Sequence, residues 1–432
     1  MNIEQLHKLF LQSTGIATDT RILRKDQLFF ALKGENFNGN KFVDEALEKG
    51  AGYVVIDEAE FLKNDKCILV TDALQTLQEL ASYHRNYLGI PILAITGSNG
   101  KTTTKELINS VLSRKFSTVA TVGNLNNHIG VPLSLLSMNS STDFGIIEMG
   151  ANHAREIEKL CEIAQPDYGY ITNFGKAHLE GFGSIEGVIK AKSELYEYLK
   201  THDKLIFLNA DDPIQQNHIS YKSTFSFGTT ETADVVVEYK DNLQTAEVIQ
   251  NDKVYESALT GSYNSRNIAA AICIGHYFKI PTEEIREAIA SYNPQNNRSQ
   301  IIKQGGITFL MDAYNANPTS MTAALESFHK YPANNKIVIL GDMFELGETA
   351  AEEHQEIVNL VETMNFNRVF LVGSNFHNSN PNNKNIEKFK SFADLAEKIK
   401  ETDFGNSYIL VKGSRGMALE RILDVLKEKN LS

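Results

Sequence analysis

The chain has 432 residues, 42% of them hydrophobic, which is enough for about three domains with cores of their own. A formal net charge of -12 argues against a general role on nucleic acid or at a membrane surface and leaves room only for a local basic pocket. Cys67, Cys161 and Cys273 lack metal or disulfide spacing and fit a reducing compartment. The opening Met1-Asn2-Ile3-Glu4-Gln5 has no signal-peptide pattern, and no apolar run reaches the ~18 residues of a membrane span, so a cytoplasmic chain is expected.

In chain order, residues 1–88 carry short elements: strands over 26–31 and 52–57, a helical stretch over 43–49, and a helix over 74–87. Gly89 and Pro91 punctuate the chain there and place a first domain boundary at 88. From 89 to 297, strands at 92–95, 144–149, 168–172 and 205–208 alternate with helices, the pattern of a mainly parallel sheet covered on its faces. The polar turn Asn293-Pro294-Gln295-Asn296-Asn297 ends that unit. Over 298–432 the alternation restarts, with strands at 307–311, 337–340, 369–372 and 408–411 and a closing helix over 417–427. The expected fold class is α/β in three domains, the central sheet of P-loop type and the C-terminal one Rossmann-like and doubly wound. In such sheets ligands sit at the carboxyl ends of strands.

The segment Thr96-Gly97-Ser98-Asn99-Gly100-Lys101-Thr102-Thr103 lies between the 92–95 strand and a helical pattern carrying Leu107, Ile108, Val111 and Leu112. Strand, glycine loop and helix in that order are the context in which a glycine motif points to phosphate binding. The glycines let backbone N–H groups close around an oxyanion, and the helix start adds the positive end of its dipole. Lys101 can reach the β and γ phosphates, and the Thr102 hydroxyl can ligate Mg²⁺. A strict P-loop would put its first glycine at Ile95, so this loop is shorter. The alternative, an ordinary turn with a surface lysine, is disfavoured by the flanking elements.

The other candidates follow strands. Glu148 ends the 144–149 strand, where a carboxylate suits an Mg²⁺ ligand or, more plainly, a solvated strand end. The loop from Thr172 to Gly183 contains His178, a metal ligand or a structural histidine. Lys192 lies on a helix beginning near Ser184, and taken alone it reads as a surface lysine. Gly341-Asp342-Met343-Phe344-Glu345 and Lys412-Gly413-Ser414-Arg415-Gly416 are charged, glycine-bearing loops suited to an anionic or zwitterionic ligand, with Arg415 able to grip a carboxylate bidentately.

Together these residues resemble the Mur ligase family, in order, from about residue 18 to 417. The short glycine loop is typical of the family at large. Blocks at 123–132, 177–183, 314–318 and 340–343, the last together with 412–416, are similar to those of the member that uses a dipeptide. The resemblance implies an ATP-dependent, ADP-forming ligase of peptidoglycan precursor synthesis. ATP would phosphorylate the terminal carboxylate of UDP-N-acetylmuramoyl-tripeptide, and the amine of D-alanyl-D-alanine would attack the acyl phosphate. Two anions approach one another in the first step, so metal and lysine must screen the charge.

Carried over residue by residue, the resemblance implies Lys101 on the phosphates, Thr102 and Glu148 on a first Mg²⁺ and His178 on a second. It implies that Lys192 is carbamylated, its amine turned by CO₂ into a carboxylate-like metal ligand. Asn264 and Asn267 match the block at the ATP base, where the family usually has histidine in place of Tyr263. Arg298 matches a phosphate-contacting arginine, and Asp312 an aspartate near the ribose. Thr18-Asp19-Thr20-Arg21 resembles the uridine-diphosphate motif, Asn126 and Asn127 would meet the muramoyl-peptide, and Arg415 would hold a substrate carboxylate. A monomer that closes about hinges on ATP is implied. The nearest alternative is a sibling ligase, such as a folylpolyglutamate synthase or the ligase adding the third amino acid. A nucleotide-gated switch or a scaffold stands further off.

Overall fold

The structure is a computed structural model and describes residues 1–240, 244–295 and 297–431. The first unit is a small parallel sheet with strands in the order Ile16–Ala17, Leu28–Phe30, Tyr53–Ile56 and Cys67–Leu69. The expected strand over 26–31 is shorter because Asp26 has a left-handed backbone (φ 63°), so pairing begins at Leu28. An opening helix, Ile3–Gln12, falls outside the sequence-based expectation. A capping box fixes its start: the Asn2 side chain accepts from the Gln5 N–H, and the Gln5 side chain accepts from the Asn2 N–H. It buries Leu6, His7 and Phe10 against the helix Ala73–Leu88, which stops at Gly89 in a left-handed conformation (φ 63°).

His7 and His84 are both buried at that contact, His7 Nε2 lying 3.0 Å from His84 Nδ1 and His84 Nε2 2.9 Å from the carbonyl of Met138. Burial lowers both pKa values from 6.5, His84 adding its charge against His7. The folded chain therefore resists protons that the unfolded chain accepts. Stability should be full above pH 6.5 and be lost as pH falls through the lower folded values. Melting curves should show Tm falling below about pH 6.5, and His7→Phe should flatten that fall. An unchanged slope in the variant would assign the acid sensitivity elsewhere.

The central sheet has seven strands, all parallel, in the order Val235–Val236, Thr224–Gly228, Leu205–Asn209, Tyr168–Ile171, Ile92–Thr96, Phe144–Glu148, Thr118–Ala120. From the Ile92–Thr96 strand the chain runs first to one side of the sheet and then to the other, so the glycine loop opens at the topological switch point. Strand alternation sends Ile92 and Ala94 to one core and Leu93 and Ile95 to the other. The first core also takes in Leu77, Leu80 and Ala81 from the Ala73–Leu88 helix, so the N-terminal and central units share apolar packing. The second is filled by helices Lys101–Leu112 and Tyr263–Tyr277. A separate antiparallel sheet, Glu238–Lys240, Glu247–Gln250 and Lys253–Glu256, packs against that face.

Asn296, in the expected boundary segment, lies outside the described residues. The C-terminal sheet has six strands in the order Gln300–Gln304, Ile307–Asp312, Tyr408–Lys412, Lys336–Gly341, Arg368–Val372, Ile386–Phe389. The first pair is an antiparallel hairpin and the other pairs are parallel. Helices cover both faces over two cores, the doubly wound arrangement. The expected closing helix over 417–427 is a correction: Ala418 is left-handed (φ 46°), which leaves short 3₁₀ turns there and delays the helix to Ile422–Leu431. Among the described residues, no helix is long and apolar enough to cross a membrane.

Candidate active site

The loop after the Ile92–Thr96 strand is forced to be glycine at two places. Gly97 has φ 140°, and a Cβ there would sit 2.0 Å from Thr172 Oγ1. Gly100 has φ 77° and stands against the Asn267 amide. The loop is braced by the segment after the Tyr168–Ile171 strand. The Ser98 hydroxyl donates to the Gly175 carbonyl and accepts from the Gly175 N–H, both at 3.0 Å. The Asn99 N–H donates to the Asn173 side chain at 3.0 Å. Asn317, from the C-terminal unit, donates its amide to the Asn99 side chain at 2.8 Å. Lys101 donates back into its own loop, to the Gly97 carbonyl at 2.7 Å. Burial lowers its pKa, the charge of Glu148 opposes that, and the charge of Arg298 adds to it.

Glu148 is fully buried at the end of its strand. Its carboxylate accepts from the Thr102 hydroxyl at 2.9 Å and from the Asn126 amide at 2.8 Å. Lys105, one helical turn beyond Lys101, is buried with Nζ 3.9 Å from Glu148 and donating to the Thr121 carbonyl at 2.6 Å. The Thr102 hydroxyl and the Glu148 carboxylate are hard oxygen donors side by side, a pair that suits Mg²⁺ shared with phosphate oxygens. Among the described residues, no group of three or more His, Cys, Asp and Glu is placed so that it could hold a metal ion by itself. A cation at this pair would complete its shell from the nucleotide and from water.

The opposite wall comes from the block at 263–267 and the C-terminal unit. Asn267 accepts from Thr104 at 3.0 Å and donates to Asn264 at 2.8 Å, which ties that block to the glycine-loop helix. Tyr263 is hydrogen-bonded to the Ser299 hydroxyl at 2.9 Å, and burial pushes its phenol pKa up. Asp312 accepts from the Ser299 N–H at 3.2 Å and pairs with the buried Lys412 at 2.6 Å. The Arg298 guanidinium stacks on the ring of Tyr314.

The loop carrying His178 reaches across to the C-terminal unit. Lys176 pairs with Glu353 at 2.7 Å, and the His178 imidazole pairs with the Glu345 carboxylate, which holds the pKa of Glu345 down. Lys192 is wholly buried. Its Nζ donates to the Ala151 carbonyl at 3.0 Å and lies 5.1 Å from the Phe182 ring centroid. Burial, and then the charge of Lys101, bring its pKa from 10.5 to about 7. The surface reading of this lysine is thus corrected.

A cavity of about 730 Å³ between the central and C-terminal units is lined by Ser98 through Thr103, Asn126, Asn127, Glu148, His178, Asn264, Asn267, Arg298 and Asp312. Gly97 supports it from within the loop. Arg415 lines a neighbouring cavity of about 450 Å³ that shares Thr102, Arg298 and Tyr314 with the first. Thr18, Asp19, Thr20 and Arg21 do not line it: they follow the first strand of the N-terminal unit, where Arg21 grips Asp19 at 2.6 Å and holds its carboxyl at about 2. Sequence reasoning missed the roles of Lys105, Asn173, Glu345 and Lys412. Lys105 carried a signal in its i+4 spacing from Lys101, and Asn173, Glu345 and Lys412 lay in post-strand loops already singled out, with no role given to those residues.

A glycine loop at the switch point of a parallel sheet, faced by cations from a second doubly wound unit, defines a nucleotide-dependent enzyme that works between units. Three family models match the chain: "Mur ligase family, catalytic domain" over 12–94, "Mur ligase middle domain" over 95–275, and "Mur ligase, glutamate ligase domain" over 297–415. The UDP-N-acetylmuramoyl-tripeptide–D-alanyl-D-alanine ligase of Bacillus subtilis is 38% identical, the match covering 97% of this chain and 94% of that one. The Escherichia coli protein of the same name is 31% identical over 96% and 94%. The solved MurF of Acinetobacter baumannii superposes with a TM-score of 0.85 at 28% identity, covering 98% of each chain. MurF ligase of Thermotoga maritima in complex with ADP gives 0.85 at 27% identity over 98% of each. The chain belongs to the Mur ligase family.

Proposed function

We infer that the chain is an ATP-dependent, ADP-forming ligase that joins D-alanyl-D-alanine to UDP-N-acetylmuramoyl-tripeptide and so makes the pentapeptide precursor of peptidoglycan. The observation that carries this is one cavity holding the glycine loop, the Thr102–Glu148 pair and the Arg298–Asp312 wall. The full-length relatives named for this reaction supply the substrates. Gly97 to Thr103 hold the phosphates, with Lys101 as the mobile cation, and Asn264, Asn267 and Asp312 take the base and ribose. Arg298 faces the terminal phosphate. Thr102 and Glu148 would hold one Mg²⁺, and His178, once free of Glu345, would serve a second. A divalent cation there supplies Lewis-acid screening of the phosphates.

Lys192, with a pKa near 7, is nucleophilic at neutral pH and can add to CO₂, its nitrogen losing a proton as the N–C bond forms. Thr18 to Arg21 take the uridine diphosphate, Asn126 and Asn127 the peptide, and Arg415 the acceptor carboxylate. The unit boundaries at 88 and 297, a monomeric state and a cytoplasmic location belong to the same reading.

The test is mass spectrometry of the product from UDP-muramoyl-tripeptide, D-alanyl-D-alanine, ATP and Mg²⁺. Pentapeptide with equimolar ADP is expected. Turnover with glutamate or diaminopimelate but none with the dipeptide would move the chain to a sibling ligase. Phosphate release at full rate without acceptor would make it a switch.

A further inference from the structure

Arg298 has an unusual anchor. Its guanidinium carbon lies 3.6 Å from the centroid of the Tyr314 ring, and that of Arg415 lies 5.5 Å from the same centroid. Two cations are therefore gathered by one aromatic ring at the junction of the two cavities, which share Arg298 and Tyr314. Arg298 and Lys101 line the same cavity, and the buried Lys105 lies one helical turn beyond Lys101, so positive groups from two units face the start of one helix. Carboxylates nearby are engaged elsewhere: Asp312 pairs with Lys412, and Glu420 faces Arg415 at 3.5 Å. Among the described residues no ion pair to Arg298 is formed.

A carboxylate anchor would cancel the charge that a phosphate needs. A ring face attracts a cation by its quadrupole without neutralising it, and leaves the N–H edge of the guanidinium open for oxygen acceptors. We propose that Tyr314 is a positioning residue: its ring fixes Arg298 at the phosphate end of the cavity while preserving the charge. This rests on the nucleotide reading of that cavity. The phenolic hydroxyl has no part in it.

The experiment replaces Tyr314 by Phe, by Leu and by a phenylalanine series of increasing ring fluorination, which keeps the shape while weakening the quadrupole. ATP affinity is read by titration, KM for ATP and kcat by steady-state turnover, and folding by Tm. Tyr314→Phe should stay within about threefold of the parent. Tyr314→Leu should raise KM for ATP about tenfold, and KM should climb stepwise with fluorination at unchanged Tm. In an Arg298→Ala background Tyr314→Leu should add nothing further. A flat fluorination series, an undiminished effect in the Arg298→Ala background, or a Tyr314→Phe variant as poor as Tyr314→Leu would overturn the proposal. A parent that binds no ATP would instead refute the nucleotide reading itself.

Discussion

Lys192→Met should lose ligase activity by about a hundredfold to a thousandfold while melting higher than the parent. The two effects pull apart because the amine is fully buried with one carbonyl acceptor, Ala151, and an aromatic face, Phe182. Its pKa falls from 10.5 to about 7, chiefly through burial. The folded state thus resists a proton that the unfolded state takes up. Stability from this group is full above pH 10.5 and is lost as pH falls through about 7, a cost on the order of 5 kcal/mol at acid pH. Methionine fills similar space and carries no such cost. In CO₂-free buffer at neutral pH the variant should therefore gain a few degrees in Tm. With ¹³C-bicarbonate, a carbamate carbon signal should appear on the parent and vanish in the variant. In Lys192→Ala, which leaves the space open, small carboxylic acids should restore part of the activity and bicarbonate none. Full activity in Lys192→Met would remove the lysine from the reaction; a large fall in Tm would show that the amine is structural.

The second large effect is expected at Lys101. Lys101→Met should lower kcat/KM for ATP by about a thousandfold, most of it in kcat, since screening of the transferring phosphoryl group matters more as charge develops. Its ammonium lies against the Gly97 carbonyl in the glycine turn and is reached by the field of Glu148. Swinging from that carbonyl to phosphate oxygens exchanges one acceptor for stronger, charged ones. Lys101→Arg should not rescue, because a planar fork cannot occupy the space of a compact ammonium. Steady-state turnover with a parallel ADP titration checks this. A variant that keeps kcat and loses only affinity would reduce Lys101 to a binding group.

The α/β order and the strands bearing the site were legible because buried parallel strands are apolar runs, as at Ile92–Thr96 and Phe144–Glu148. Short edges were not. Thr118–Ala120 has only three half-buried residues, and Gln300–Gln304 alternates without a strong apolar face. The Ile3–Gln12 helix escaped notice although its cap and its apolar stripe of Leu6, Phe10 and neighbours are both readable. Within the site, Glu148, Thr102 and Lys101 could be found from local context, since one strand and one loop place them. Lys192 could not: its burial depends on Phe182 and Ala151, which belong to other segments. The resemblance supplied what spacing lacked. Pairings such as Glu345 with His178 and Lys412 with Asp312 join residues 167 and 100 positions apart and exist only in three dimensions.

The hairpin that opens the C-terminal sheet carries a mechanical implication. Gln300–Gln304 is locked to Ile307–Asp312 along its whole length, and Arg298 precedes it by only two residues. Arg298 is consequently carried by that sheet rather than by the glycine loop across the cavity. With Arg298 on the phosphates, as proposed, a swivel of the sheet would withdraw the cation in the same stroke, and splitting of ATP would then depend on the posture of the whole molecule.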